Sequence, residues 1–354
     1  MSKPDNIEAY VPLAPMTTIK LGGPARQFVR CHSEEELISA LEFARGNNLR
    51  VHVLSGGSNT IFADEGFDGL VVKIEIAGVE YADAGEYVLT RVGAGENWDG
   101  FVERSITRGL GGLETMSGIP GSVGATPMQN VGAYGQDVSA VIAEVEALDT
   151  HSLKKAVFPN EECEFSYRSS IFKERERGRY IITQVTYRLP KRAVPTVIYP
   201  DIVEQLVGEK KLGSDPESLL RVRRAVLAVR RRKSMVLNRN DRNTRSCGSF
   251  FLNTVLTPAA AEEVARRART LGIHDPPRFT AGDFVKIPAA WMVENAGFHR
   301  GYRYDGVGIS ENHPLALVNY DGTTSALLTL AGEIQTAVKE KFGVDLTPEP
   351  DIVR

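Results

Sequence analysis

The sequence predicts a fold of more than one domain that mixes helices and strands, an α+β protein, and three observations predict it. The chain has 354 residues, more than one simple hydrophobic core accommodates, which points to two or three domains. Near its start a strand, a helix and a second strand follow one another and run into a glycine turn. Beyond them a strand-rich stretch gives way to a region richer in helices.

The elements follow in order. Ala25 to Cys31 is extended. Ser33-Glu34-Glu35-Glu36 opens a helix, with the serine at the N-cap and a glutamate three residues on forming a capping box. Leu37, Leu41, Phe43 and Ala44 then recur at helical spacing. Val51 to Leu54 is a short apolar strand leading into Ser55-Gly56-Gly57-Ser58-Asn59, the way α/β proteins begin a nucleotide site. Gly69–Ile74, Tyr87–Val92, Val141–Asp149 and Tyr180–Leu189 read as strands. Between them lie a helix from about Asn97 to Arg108 and a glycine-rich segment, Gly118 to Gly135. Pro190 to Pro195 reads as a linker. Helices are predicted over 216–233, 258–271 and 324–341, with strands around Gly308 and from Leu315 to Asn319. Domain boundaries fall near residues 80 and 237.

Composition excludes several function classes. With 42 basic and 45 acidic residues, the chain carries no field that favours nucleic acid or an anionic membrane. Cys31, Cys163 and Cys247 are odd in number and lack metal-like spacing, so they read as reduced thiols rather than a disulfide framework. No apolar run spans a bilayer, and MSKPDNIEAYVPLAP has no apolar core of a secretion signal. A cytoplasmic location is expected. No internal repeat or low-complexity tract is present.

Two glycine-rich motifs carry the chemistry. In Gly56-Gly57-Ser58-Asn59, residues without Cβ let the backbone turn tightly and bring N–H groups close to a phosphate. Alone it reads as an ordinary turn, since it is neither GxGxxG nor a Walker loop. The second runs from Ser117-Gly118-Ile119-Pro120-Gly121-Ser122-Val123-Gly124-Ala125 to Gln129-Asn130-Val131-Gly132-Ala133-Tyr134-Gly135. Its bland reading is a pair of irregular loops. A loop this long and this poor in charge is unusual without a partner, and a bound cofactor that the backbone presses against is the simpler explanation.

With these two motifs, the blocks Phe165-Ser166-Tyr167-Arg168-Ser169-Ser170-Ile171-Phe172-Lys173, Cys247-Gly248-Ser249-Phe250-Phe251-Leu252-Asn253, Pro288 to Phe298 and Leu346-Thr347-Pro348-Glu349 complete a pattern. In this order, from about Leu13 to Glu349, it resembles the UDP-N-acetylenolpyruvoylglucosamine reductases. The resemblance implies an FAD-binding fold of the vanillyl-alcohol-oxidase (PCMH) type. Its two α/β subdomains would be residues 1–80 and 81–237, followed by an α+β substrate-binding domain, 238–345, with the tail 346–354 returning to the first subdomain. It implies NADPH as donor, UDP-N-acetylglucosamine enolpyruvate as substrate, a monomer, and no metal.

The resemblance also assigns roles. Gly56, Gly57, Ser58 and Asn59 would meet the FAD phosphates, and Ser117, Ile119, Val123, Gly124, Ala125, Gly132 and Tyr167 would complete the cofactor site. Hydride addition to the vinyl group leaves an enolate, which Arg168 would stabilise through charge-assisted hydrogen bonds. Ser249 would donate the quenching proton, and Glu349 would orient the substrate carboxylate or share a proton with it. Tyr134, Tyr199, Lys233 and Asn253 would surround the substrate, the lysine as a point charge beside its diphosphate.

Each position also has a plainer reading. A strand arginine is commonly solvated, a serine in a Gly-Ser turn is commonly structural, and Ser246 stands nearby. Asp351 lies two residues beyond Glu349. Arg230-Arg231-Arg232-Lys233 can be a solvated helix end whose cations complement the macrodipole. His299 and His313 read as structural or surface residues. The motif around Ser249 departs from the family's usual Ala-Gly-Ser and Asn-Pro, carrying Cys247 and Asn253-Thr254, and Lys233 is followed by Ser234-Met235 and a longer loop. Two other functions compete: a different FAD-dependent oxidoreductase of the same superfamily, and a non-enzymatic nucleotide- or nucleic-acid-binding protein built on the basic helix.

Overall fold

The computed structural model describes Pro4 and residues 6–354. The described residues divide into two compact units: those within 4–11, 25–57 and 68–236, and those within 12–24, 58–67 and 237–354.

The first unit is built on two sheets. A four-stranded sheet runs in the order Glu8–Pro12, Pro24–Cys31, Phe67–Ile74, Val51–Leu54, its last two strands parallel. Helix α1, Glu34–Gly46, buries Leu37, Ala40, Leu41, Phe43 and Ala44. Ser33 caps it by accepting the Glu36 N–H at 3.2 Å. The expected capping box forms in altered shape, for the Glu36 carboxylate reaches back to the His32 N–H, one residue beyond the cap.

The five-stranded antiparallel sheet runs in the order Lys155–Pro159, Ile142–Asp149, Tyr180–Pro190, Tyr87–Gly93, Val79–Ala84. The outermost strands, 79–84 and 155–159, are absent from the sequence reading. They are short edge strands with no fully buried residue, in which Val79, Tyr81 and Phe158 alone pack partly against the core, too few to mark a strand in the sequence. Helix α2, Trp98–Thr107, is capped by the Asn97 side chain and buries Trp98, Phe101, Val102 and Ile106.

After the strand ending at Pro190, the predicted linker leads to a short helix, α3, Pro200–Gln205. Helix α4, Pro216–Arg232, starts at the N-cap Asp215 and buries Leu219, Val222, Val226 and Val229. Ile202 is the buried residue of α3 and joins the cluster on α4. One fully buried isoleucine is worth about 1.5–3 kcal/mol, and with Val197 and Leu206 only partly buried beside it, α3 is held more lightly than α4.

The second unit packs α5 (Pro258–Thr270), α6 (Ala289–Ala296) and α7 (Thr324–Phe342) around Phe250, Phe251, Met292, Leu327, Leu330 and Ile334. Small antiparallel sheets flank them: Thr254–Leu256, Phe284–Ile287 and Phe279–Ala281, and Arg303–Tyr304, Val307–Ile309 and Leu317–Asn319. The Asp64 carboxylate accepts the N–H groups of Thr324 and Ser325, both at 2.8 Å, placing a negative charge on the positive end of α7. Asp351–Val353 pairs in parallel with Thr60–Phe62.

Candidate functional site

In the first unit the two glycine-rich motifs touch. A Cβ on Gly56 would lie 2.4 Å from the Gly121 Cα, so the first turn and the second segment pack backbone to backbone. Gly124 sits against Ala94, and Gly132 against the Gln136 carbonyl, with equally little room. The smallness expected to serve a cofactor thus also serves contacts within the protein. Gly57 has φ +64°, the left-handed region that glycine tolerates.

Residues outside the motifs hold the second segment. Asp99 in α2 accepts the Gly118 N–H at 2.6 Å and forms a two-pronged pair with Arg223 of α4, at 2.5 and 2.9 Å. Burial pushes the Asp99 carboxyl up, but Arg223, the Gly118 N–H and the charge of Arg230 outweigh it and hold it below the ordinary value. The buried Glu114 carboxylate accepts from the Gly112 N–H (2.7 Å) and from Gln136 (2.8 Å), tying the two halves of the segment together. Ser117 donates to the Glu114 carbonyl and Val123 is fully buried, so both help build this scaffold. Ile119 is half-buried against the core of this unit.

The Phe165–Lys173 block is stitched to the same segment. Ser166 and Ser169 exchange backbone hydrogen bonds around a tight turn whose central residues are Tyr167 and Arg168. Arg168 has φ +55°, as Asn130 has +44° and Tyr134 +51°. Non-glycine residues in this region carry strain of about 1–3 kcal/mol each, which clusters at functional sites. The Arg168 guanidinium is half-buried and donates to the carbonyls of Asn130 (3.3 Å) and Gly132 (2.7 Å). It is therefore no solvated strand arginine. Tyr167 is 48% exposed.

Tyr134 packs edge-on against Tyr199, ring centres 5.6 Å apart. Arg230 donates to the carbonyls of Gly118 (3.3 Å) and Met235 (2.8 Å), while its Nε is buried without a hydrogen-bond partner among the described residues. Burial pulls this guanidinium below its usual value. Arg230, which the sequence allows as part of a solvated helix end, is instead turned inward. Its seven-residue spacing from Arg223 was the available sign that both lie on one inward face of α4. Lys233, the C-cap of α4, pairs with Asp201.

FAD fits this arrangement. Ser55 heads the first glycine turn with a buried hydroxyl that has no hydrogen-bond partner among the described residues. Its carbonyl takes the Lys73 ammonium, which burial drives below its usual value. A glycine turn, an unpartnered hydroxyl and a desolvated cation suit an anionic diphosphate. Lys73 escaped the sequence reading because it lies within the apolar run of its strand.

In the second unit, Ser249 and Glu349 lie on neighbouring paired segments. The Glu349 N–H donates to the Phe250 carbonyl at 2.8 Å, the Leu252 N–H to the Thr347 carbonyl at 3.0 Å, and Phe251 bridges Pro348. The Asn59 side chain donates to the Glu349 carbonyl at 3.1 Å, and the Asp351 N–H donates to the Asn59 carbonyl at 2.8 Å. The strand 351–353 thus absorbs Asp351 and leaves Glu349 beside the Ser249 turn. The Ser58 carbonyl accepts from Thr18 at 3.4 Å. Ser246 is buried, accepts the Gly248 N–H on its hydroxyl, and takes Thr18 on its carbonyl. That is a structural serine, whereas Ser249 is half-buried. Asn253 accepts the Ala289 N–H at the start of α6. His313 accepts the Leu315 N–H, holding a turn, and His299 rests against Tyr302. All three cysteine thiols are buried and unpaired, and burial pushes each to about 12.

Among the described residues no helix is long and apolar enough to cross a membrane, and no group of three or more His, Cys, Asp or Glu could hold a metal ion.

Comparison with known proteins decides the family. A model for an FAD binding domain matches residues 25–151, and one for the UDP-N-acetylenolpyruvoylglucosamine reductase C-terminal domain matches residues 240–353. The UDP-N-acetylenolpyruvoylglucosamine reductase of Thermobifida fusca is 44% identical over 97% of this chain and 97% of its own. The chain belongs to the UDP-N-acetylenolpyruvoylglucosamine reductase family. That of Mycolicibacterium smegmatis is 42% identical, covering 97% of this chain and 94% of its own. In fold, the crystal structure of the reductase from Thermus caldophilus matches with a TM-score of 0.66 at 23% identity, over 98% of this chain and 99% of that one. The chain is an FAD-containing oxidoreductase, and the reductase family serves peptidoglycan synthesis.

Proposed function

We propose that this protein reduces UDP-N-acetylglucosamine enolpyruvate to UDP-N-acetylmuramate with NADPH as the electron donor, as a cytoplasmic monomer. Residues 1–80 and 81–237 are read as the two halves of the FAD-binding region, and 238–345 as the substrate-binding domain. The tail 346–354 returns to the first half. The observation that carries the proposal is the backbone pairing of the Ser249 turn with the segment bearing Glu349, because it brings together the two segments that carry the proposed acid and the proposed carboxylate.

Bound FAD supplies the hydride carrier between NADPH and the vinyl carbon. Gly56, Gly57, Ser58 and Asn59 would hold its phosphates through backbone N–H groups, and Ser117, Ile119, Val123, Gly124, Ala125, Gly132 and Tyr167 would complete the cofactor site. Arg168, held by two carbonyls, keeps a fixed guanidinium for the enolate that forms beside the substrate carboxylate. Ser249 delivers the proton to the carbon next to that carboxylate. A serine hydroxyl is a poor acid in water, so it needs donors that stabilise the alkoxide it leaves. Glu349 orients the substrate carboxylate. Lys233, Tyr134 and Asn253 hold the uridine diphosphate portion, where an ammonium serves as a point charge, and Tyr199 covers the substrate.

Anaerobic stopped-flow mixing tests the reading. NADPH should bleach the flavin of the purified protein, and the enolpyruvyl sugar nucleotide should then restore its colour. Bleaching without recovery under nitrogen, with recovery only on admitting oxygen, would identify an oxidase instead.

A further inference from the structure

Lys233 and Asp201 form an ion pair with Nζ and Oδ2 2.5 Å apart. Lys233 ends α4, while Asp201 lies in the first turn of α3. Both side chains are partly exposed, 39% and 49%. The residues just before Asp201 rest on the same place. Tyr199 packs edge-on against Tyr134, and Ile198 lies so close to Gly135 that a Cβ there would be 3.1 Å from its Cδ1. The Val197–Asp201 segment therefore sits on Tyr134 and Lys233, the two side chains of this unit proposed to receive the substrate's diphosphate portion. Its helix is six residues long and is anchored by the buried Ile202.

We infer that Asp201 is a positioning residue that occupies Lys233 while no nucleotide sugar is bound and is displaced from it by the incoming diphosphate. The inference rests on the reading of Lys233 as a diphosphate contact. A diphosphate and a carboxylate on one partly exposed ammonium repel each other, since both would lie within a few ångströms of the same nitrogen. Asp201 holds the lysine extended and ready, and it sets a threshold that only a more highly charged anion crosses. A neutral sugar or nucleoside gains nothing by displacing it. The light anchoring of α3 lets the carboxylate withdraw without unfolding the core.

The test uses the FAD-loaded protein and uridine 5′-diphosphate as probe, with binding read from the flavin absorbance change or by calorimetry at low ionic strength. Asp201→Asn keeps the shape and removes the charge. It should tighten binding about two- to fivefold, the range spanned by partly exposed ion pairs. The gain should shrink in high salt. Uridine, which lacks the diphosphate, should bind Asp201→Asn and the parent protein alike; a purely structural role would change both ligands together. Lys233→Met should weaken the diphosphate. If Lys233→Met weakens it but Asp201→Asn binds it no tighter, or more weakly, the role of Asp201 is overturned. If Lys233→Met has no effect on it, the reading of Lys233 fails, and the inference with it.

Discussion

Replacing Asp99 by alanine should loosen the flavin site from a distance. This carboxylate joins α2, α4 and the start of the second glycine-rich segment through three short contacts: two to Arg223 and one to the Gly118 N–H. Arg223 is 8% exposed, so Asp99→Ala leaves a buried guanidinium without its two-pronged partner. Breaking a buried pair in this way costs about 3–5 kcal/mol. Asp99 itself is 33% exposed, which places the loss at the lower end, about 3 kcal/mol, and the stranded Gly118 N–H adds about 1 kcal/mol. At about 2–4 °C per kcal/mol for a unit of this size, the midpoint of thermal unfolding should fall by about 10 °C. Flavin fluorescence should rise before the helical circular dichroism is lost, because the glycine segment loosens first. The pH dependence has a definite sign. The folded carboxyl titrates below its ordinary value of 3.8. Its contribution is therefore complete at neutral pH and is lost as pH falls through the lowered value, so the gap between the parent protein and Asp99→Ala should close in strong acid. A variant that unfolds within about 2 °C of the parent and keeps its flavin would refute this account of the segment.

Four further outcomes follow from the site. Gly56→Ala should lose FAD, because its methyl group would meet the Gly121 backbone at 2.4 Å; flavin-to-protein ratio after purification reads the effect, and a full complement would contradict it. Lys73→Met should weaken FAD about tenfold in reconstitution of the apoprotein, by freeing the Ser55 carbonyl and removing a buried cation, yet leave riboflavin affinity unaltered. Ser249→Ala should keep flavin reduction by NADPH near normal but slow reoxidation by the enolpyruvyl substrate about 100- to 10,000-fold. Ser246→Ala, which removes the acceptor of the Gly248 N–H, should cost about 1 kcal/mol of stability and leave reoxidation intact. Reoxidation of Ser249→Ala at the parent rate would remove the serine from the chemistry.

What the sequence disclosed and what it hid divide along physical lines. Helices with an apolar stripe and a capping side chain, such as α1, α2, α4 and α7, were readable because both signals are local. The edge strands 79–84 and 155–159 have too few inward residues to stand out, and α3 was too short and too close to prolines to show a pattern. The glycine motifs were visible, but their contact at Gly56 and Gly121 joins residues far apart in the chain. Lys73, Asp99 and Arg230 were hidden for a related reason. A charge that faces inward looks in sequence like any other surface charge until the elements around it are assembled. Ser249 and Ser246 could be told apart only by block identity until the structure showed which hydroxyl already has work within the turn.

The pairing of residues 351–353 with residues 60–62 bears on how the protein is made. A growing chain emerges from the ribosome in order, and the first unit holds residues up to 236, so it can begin to fold while synthesis continues. The second unit draws on residues 12–24 and 58–67 and waits for the strand that contains Asp351. Joining Asn59 to Glu349 closes a separation of 290 residues, at a chain-entropy cost of about 5 kcal/mol if the intervening chain were slack. Prior folding of the first unit shortens that effective loop and lowers the cost. Glu349 thereby reaches the Ser249 turn only once residues 12–24, 58–67 and 351–353 are all available to the second unit.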